Sequence, residues 1–130
     1  MSRFEPIPPA DEAIARKVIE AAIQVHRELG PGFLESIYRR AMEYELSSLD
    51  VPLEVEREIV VMYKGMAIPG QRIDLLVAGR IIVELKCVDA LAPIHMAQTI
   101  SYLKTTGLRL ALLINFKTPL LKDGIKRIVR

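Results

Sequence analysis

The chain has 130 residues, 51% of them hydrophobic and 26% charged, with a formal net charge of +2. That length suits a single domain with one substantial core, and the composition excludes a disordered chain. Three Phe, four Tyr and no Trp leave no broad platform for stacking single-stranded bases, and so small a charge does not by itself identify a polyanionic partner.

The opening "MSRFEPIPPADEA" lacks an apolar core of the signal-peptide kind, and no stretch approaches the ~20 apolar residues that span a bilayer. Pro6, Pro8 and Pro9 predict an extended lead-in over residues 1–10, with Asp11 capping the helix that follows. Ile14, Val18, Ala22, Val25 and Leu29 recur at helical spacing, and Gly30-Pro31-Gly32 ends that helix. A second helix is expected from Leu34 to Leu49, with Leu34, Ile37, Ala41 and Tyr44 facing inward.

From Leu53 the period changes to two, and "LEVEREIVVMY" reads as a strand. Lys64-Gly65 suits a turn into a short returning segment. Strands over Ile73–Val77 and Ile81–Val88 follow, then a helix opened by Pro93 and closed by Gly107. "RLALLINF" is an apolar strand, and the basic "KDGIKRIVR" closes the chain. The order ααβββαβ predicts one α/β domain over residues 1–130. Cys87, the only cysteine, lies in an apolar strand. It reads as a small core residue in a reduced, cytoplasmic setting rather than as a nucleophile.

Within "RIDLLVAGRIIVELKCV", three ionisable residues interrupt a run that otherwise looks like a buried sheet. Glu84 and Lys86 share one face of their strand, because side chains alternate. An odd-numbered loop before Ile81 places Asp74 on that face too; a two-residue loop turns it away. Gly79, taken as the third loop position in the left-handed region, favours the three-residue form.

If the groups converge, two neighbouring carboxylates need a cation between them. Mg²⁺ fits such oxygen donors, completing its shell with waters and substrate phosphate. A lysine beside it orients or deprotonates water and opposes charge on a phosphate oxygen. The alternative is structural, since Asp, Glu and Lys at strand ends also make edge charges and ordinary ion pairs.

An Asp on one strand followed by Glu-x-Lys on the next resembles the PD-(D/E)xK nuclease superfamily, although Ile73 stands where that motif has Pro. "GFLESIY", with Gly32, Glu35 and Tyr38, resembles the defining motif of the GxxExxY family within it. "VHRELGPG", which contains His26, and "LLINFKTPLLKDGIKRIV" are similar to that family as well. The resemblance implies a restriction-endonuclease-like fold, with a mixed central sheet flanked by helices.

It further implies metal-dependent phosphodiester hydrolysis of DNA or RNA, with Mg²⁺ as the ion and Mn²⁺ as an acceptable substitute. Asp74, Glu84 and the Leu85 carbonyl would hold the metal, with Glu35 as third acid. Lys86 would activate water. Gln98 and Tyr102, four apart on one helix face, resemble a Q-x-x-x-Y motif whose Gln positions the lysine and whose Tyr lies near the phosphate. Without the resemblance, Glu35 reads as a helix N-terminal acid and His26 as a residue bonded to the adjoining turn.

Two other classes stay open: a nucleic-acid binder that keeps the fold without turnover, and an interaction module whose charges are structural. A homodimer or a protein partner suits so small a chain. His26 and His95 lie on different predicted helices with no Cys/His cluster, which argues against a zinc site.

Overall fold

The computed structural model describes residues 5–130. Helix α1 (Pro9–Leu29) leads into α2 (Glu35–Ser48), strands β1 (Leu53–Tyr63), β2 (Met66–Val77) and β3 (Ile81–Lys86), helix α3 (Pro93–Thr106), β4 (Leu110–Asn115), a 3₁₀ turn (Leu121–Gly124) and β5 (Ile125–Val129). The strands lie side by side in chain order, all antiparallel except β3 and β4, which α3 links as a parallel crossover.

The sheet is mixed and covered by helices on both faces. One apolar cluster joins α1 and α2 to one face through Val18, Ala22, Tyr38, Met42, Val83 and Leu112. The other joins α3 to the opposite face through Tyr102, Leu103, Ile73, Leu76 and Ile82. Coverage on both sides explains why β3 and β4 are almost uninterrupted apolar runs. The α/β fold read from the sequence is therefore the fold observed.

Several boundaries differ from expectation. Residues 1–4 of the expected lead-in lie outside the described residues, and Pro9 and Ala10 are already helical. Pro9 occupies the first turn, where its missing N–H costs nothing, and Pro8 precedes it. Asp11 caps nothing. Its carboxylate is 4% exposed and accepts hydrogen bonds from Arg80 Nε and, at 3.2 Å, Arg80 Nη2.

On α2 the buried stripe is Tyr38, Met42 and Leu46. Ala41 is half-buried, but Leu34 is 74% exposed, and Ile37 and Tyr44 also face out. Both stripes have helical spacing, so periodicity could not separate them; Tyr38 decides. Its ring stacks on Phe116 at 4.4 Å, its hydroxyl donates to Gly30 O at 2.5 Å, and Phe33 N donates to that hydroxyl at 3.2 Å.

The returning segment after Lys64-Gly65 is not short: β2 runs unbroken from Met66. Pro69 and Gly70, which look like a break, sit where the pairing shifts between Ile59 and Val61. There they form a bulge, a position that tolerates a residue without an N–H. The closing basic segment becomes the 3₁₀ turn and a fifth strand rather than a tail. Gly124 is required there, since a Cβ would meet Asn115 O at 2.3 Å.

Candidate active site

The loop between β2 and β3 is Ala78-Gly79-Arg80, and Val77 pairs with Ile81. Gly79 is thus the middle of three residues, not the third, and Ala78 shares its positive φ. The odd count has the expected consequence: the ladder passes through Leu75 and Val83, and its next step sets Asp74 opposite Glu84.

At that step the side chains replace the ladder. Asp74 N donates to Glu84 Oε2 at 2.7 Å, and Leu85 N donates to Asp74 Oδ2 at 2.8 Å. Each carboxylate therefore has one oxygen fixed by backbone. Asp74 also ends the regular alternation of β2. Ile73 packs on the α3 side with Leu76, whereas Leu75 packs on the other side. In β1 the residue in register with Asp74 is Glu56, and its φ is 50°.

Among the described residues neither acid has a cation within salt-bridge distance. Glu84 is 3% exposed, and burial, then the charge of Asp74, pushes its carboxyl up to about 8. Burial also raises Asp74, against the Leu85 N–H and the more distant Lys86 and Arg39. Glu35, in the first turn of α2, is raised by burial and next by Asp74, so it lies within reach of their field. Among the described residues no three His, Cys, Asp or Glu are gathered to hold an ion. Glu35 is a neighbour of the pair.

Lys86 and Gln98 do meet: Lys86 Nζ donates to Gln98 Oε1 at 3.3 Å, across from β3 to α3. Tyr102, one turn further along α3, accepts from Gln71 Nε2 at 2.7 Å. Burial, followed by the charges of Glu84 and Asp74, pushes its hydroxyl up to about 12, so it stays protonated. Lys86 O accepts from Phe116 N on the β4 side. Carbonyls of successive extended residues point to opposite sides, so that of Leu85 turns toward Asp74.

Gly32, Tyr38 and His26 stand apart from these acids. Gly32 has a φ of 116° in the α1–α2 turn, and His26 Nε2 meets Thr118 O at 2.8 Å. Gly32 and Tyr38 shape the turn from which α2 starts, whereas His26 ties α1 to the segment after β4 and not, as expected, to the adjoining turn. His95 is also accounted for, since its Nδ1 accepts from Ala92 N at the start of α3. Burial raises the Cys87 thiol above its ordinary value, which suits a packing residue.

Three polar neighbours were not foreseen: Gln71 on β2, and Arg39 with Glu56, 3.7 Å apart at the rim. A regular hairpin from Lys64-Gly65 would put Val55, not Glu56, opposite Asp74. Only the bulge at Pro69-Gly70 brings Glu56 into that row.

Two adjacent carboxylates, Glu84 buried and Asp74 half-buried, cannot ionise cheaply together, and each has a second oxygen beyond its backbone bond; they suit a hard divalent cation that also takes water and phosphate oxygens. A model of the PD-(D/E)XK nuclease superfamily matches residues 12–128. The chain belongs to the PD-(D/E)XK nuclease superfamily. No curated protein and no solved structure matches it.

In this superfamily the fold carries nuclease-type chemistry on nucleic acid, and its nucleases typically use divalent metals. As a PD-(D/E)XK chain, this one carries Asp74 and the Glu84-x-Lys86 triplet on the adjacent strands β2 and β3. No helix among the described residues is long and apolar enough to cross a membrane.

Proposed function

We propose that this chain is a Mg²⁺-dependent nuclease that hydrolyses phosphodiester bonds, one nuclease domain of the GxxExxY type. The observation that carries the reading is the reciprocal Asp74–Glu84 pair, half-buried and buried respectively, with no ion-pair partner among the described residues and flanked by Lys86. Asp74 Oδ1, Glu84 Oε1 and the Leu85 carbonyl would hold the ion, with Glu35 acting on it through water. Bound there, Mg²⁺ or Mn²⁺ supplies charge against the phosphate oxygens and favours ionisation of the attacking water.

The chain's own part is positioning. Gln98 restrains Lys86, whose ammonium orients the attacking water and opposes charge developing on the phosphate. Tyr102, kept protonated and anchored by Gln71, offers its O–H to a phosphate oxygen. Glu84 binds a proton at neutral pH without metal and gives it up when the ion enters, so affinity for the ion rises with pH.

Labelled single- and double-stranded DNA and RNA, incubated with Mg²⁺, Mn²⁺ or EDTA, test this directly. Glu84→Ala and Lys86→Ala, purified in parallel, expose any contaminating nuclease. Metal-dependent cleavage lost in both variants is the expected result. Cleavage no greater than that of the variants, on every substrate, would replace the enzyme by a nucleic-acid-binding or interaction module of the same fold.

A further inference from the structure

The tip of the β1–β2 hairpin contributes no side chain to the acid site. β3 pairs with β2 only over Leu75–Val77, and beyond Gln71, whose amide reaches Tyr102, the segment from Val60 to Gly70 continues as a two-stranded arm. Val60, Val61, Met62, Tyr63, Met66 and Ile68 are all exposed on it, Met62 at 62% and Met66 at 56%. Among the described residues no helix or further strand pairs with it. A two-stranded ribbon alone is marginally stable in water, and its apolar exposed edge is a template for pairing.

The chemistry of the arm narrows its occupant. From Ile59 to Gln71 the only charged residue is Lys64, too little for a phosphate backbone. β1 is an outer strand of the sheet, and among the described residues no strand pairs with its outer side. The outer edge of β2 is interrupted by Pro69, which has no N–H, and by the bulge there. Pairing is therefore favoured across β1.

The geometry points to a second copy of this chain, bound antiparallel along β1 about a twofold axis at Val61. In that register Val60 faces Met62, Ile59 faces Tyr63, and Glu58 faces Lys64 of the second copy, twice over by symmetry. The two sheets become one continuous sheet, the contact closes on itself, and Val60, Val61 and Met62 of each copy shield those of the other. This inference does not rest on the nuclease reading, because neither Asp74, Glu84 nor Lys86 takes part.

Sedimentation equilibrium of the full chain, read beside far-ultraviolet circular dichroism and melting, tests it. The wild type is expected to be dimeric at about 100 µM, where micromolar affinity is saturated. Val61→Lys places two ammonium groups on the axis, and should raise the dissociation constant by at least tenfold while the spectrum stays that of a folded chain. Glu58→Lys and Lys64→Glu should each weaken the dimer, and the double swap E58K/K64E should restore it. That rescue keeps the test decisive if Val61→Lys misfolds. A monomeric wild type, a dimer indifferent to Val61→Lys, or single swaps that the double swap does not rescue would each overturn the proposal. Nuclease assays on the same samples report separately on the acid site.

Discussion

Two carboxylates in this molecule are almost equally hidden, and they differ in what surrounds them. Asp11 at the start of α1 has a guanidinium across it, held by two hydrogen bonds from Arg80. Glu84 on β3 has Asp74 across it and, among the described residues, receives only a backbone N–H. Near Asp11 the protein itself supplies the compensating charge, and the result ties α1 to the β2–β3 turn. Near Glu84 the compensation is left to something else. Burial alone does not mark a functional acid; burial without a partner does.

The contrast is broken or sharpened most strongly by activity. Under the proposed function, Asp74→Ala and Glu84→Ala should each lower cleavage by at least about a hundredfold, or ~3 kcal/mol of transition-state stabilisation. Asp11→Asn should leave cleavage per folded molecule unchanged. If Asp11→Asn proved as damaging as Asp74→Ala at equal folded fraction, the distinction between the two acids would fail.

Stability against pH comes next. The folded protein holds the Glu84 proton up to about pH 8, whereas an unfolded chain releases it near the ordinary value of 4.5. A raised carboxyl makes the folded state the better proton binder, so metal-free stability should fall as pH rises between those values and level off above. The loss is on the order of a few kcal/mol, measured by urea unfolding at several pH values. Glu84→Gln should flatten the profile and be more stable than wild type at pH 8. A profile unchanged by Glu84→Gln would show that the pair is not strained.

Asp11→Asn should cost about 1–2 kcal/mol at neutral pH by the same method. That is less than for a wholly buried pair, because Arg80 can turn to water. Gln98→Ala should slow cleavage by up to about tenfold while leaving stability nearly untouched, since it removes a hydrogen-bond partner of Lys86. Millimolar Mg²⁺ should raise the melting temperature of the wild type by a few degrees and that of Asp74→Ala not at all, as ligand linkage requires.

The residues differ in how legible they were. Glu84 and Lys86 share a face because alternation along a strand is local. Gln98 and Tyr102 share one because i and i+4 are neighbours on any helix. The apolar runs of β3 and β4 announced a sheet covered on both faces. The stripe on α2 misled, because Leu34, Ile37 and Ala41 have the same period as Tyr38, Met42 and Leu46, and only contact with Phe116 and Gly30 chooses between them. Asp11 looked like a helix cap and proved to be an ion-pair partner 69 residues from Arg80. Glu56 and Gln71 were silent, because a two-for-one bulge cannot be located by counting residues from a turn.

The sequence by itself determined most of the elements and their order, the class of fold and the pair of strands that carries the acids. These follow from periodicities set by φ and ψ, and from the cost of burying charge. The tertiary structure alone decided which carboxylate met a guanidinium and which met another carboxylate. It also decided which hydrophobic stripe was hidden, and that half of the hairpin projects past the sheet. Those outcomes depend on contacts between residues far apart in the chain, whose energies exist only once the layers have packed.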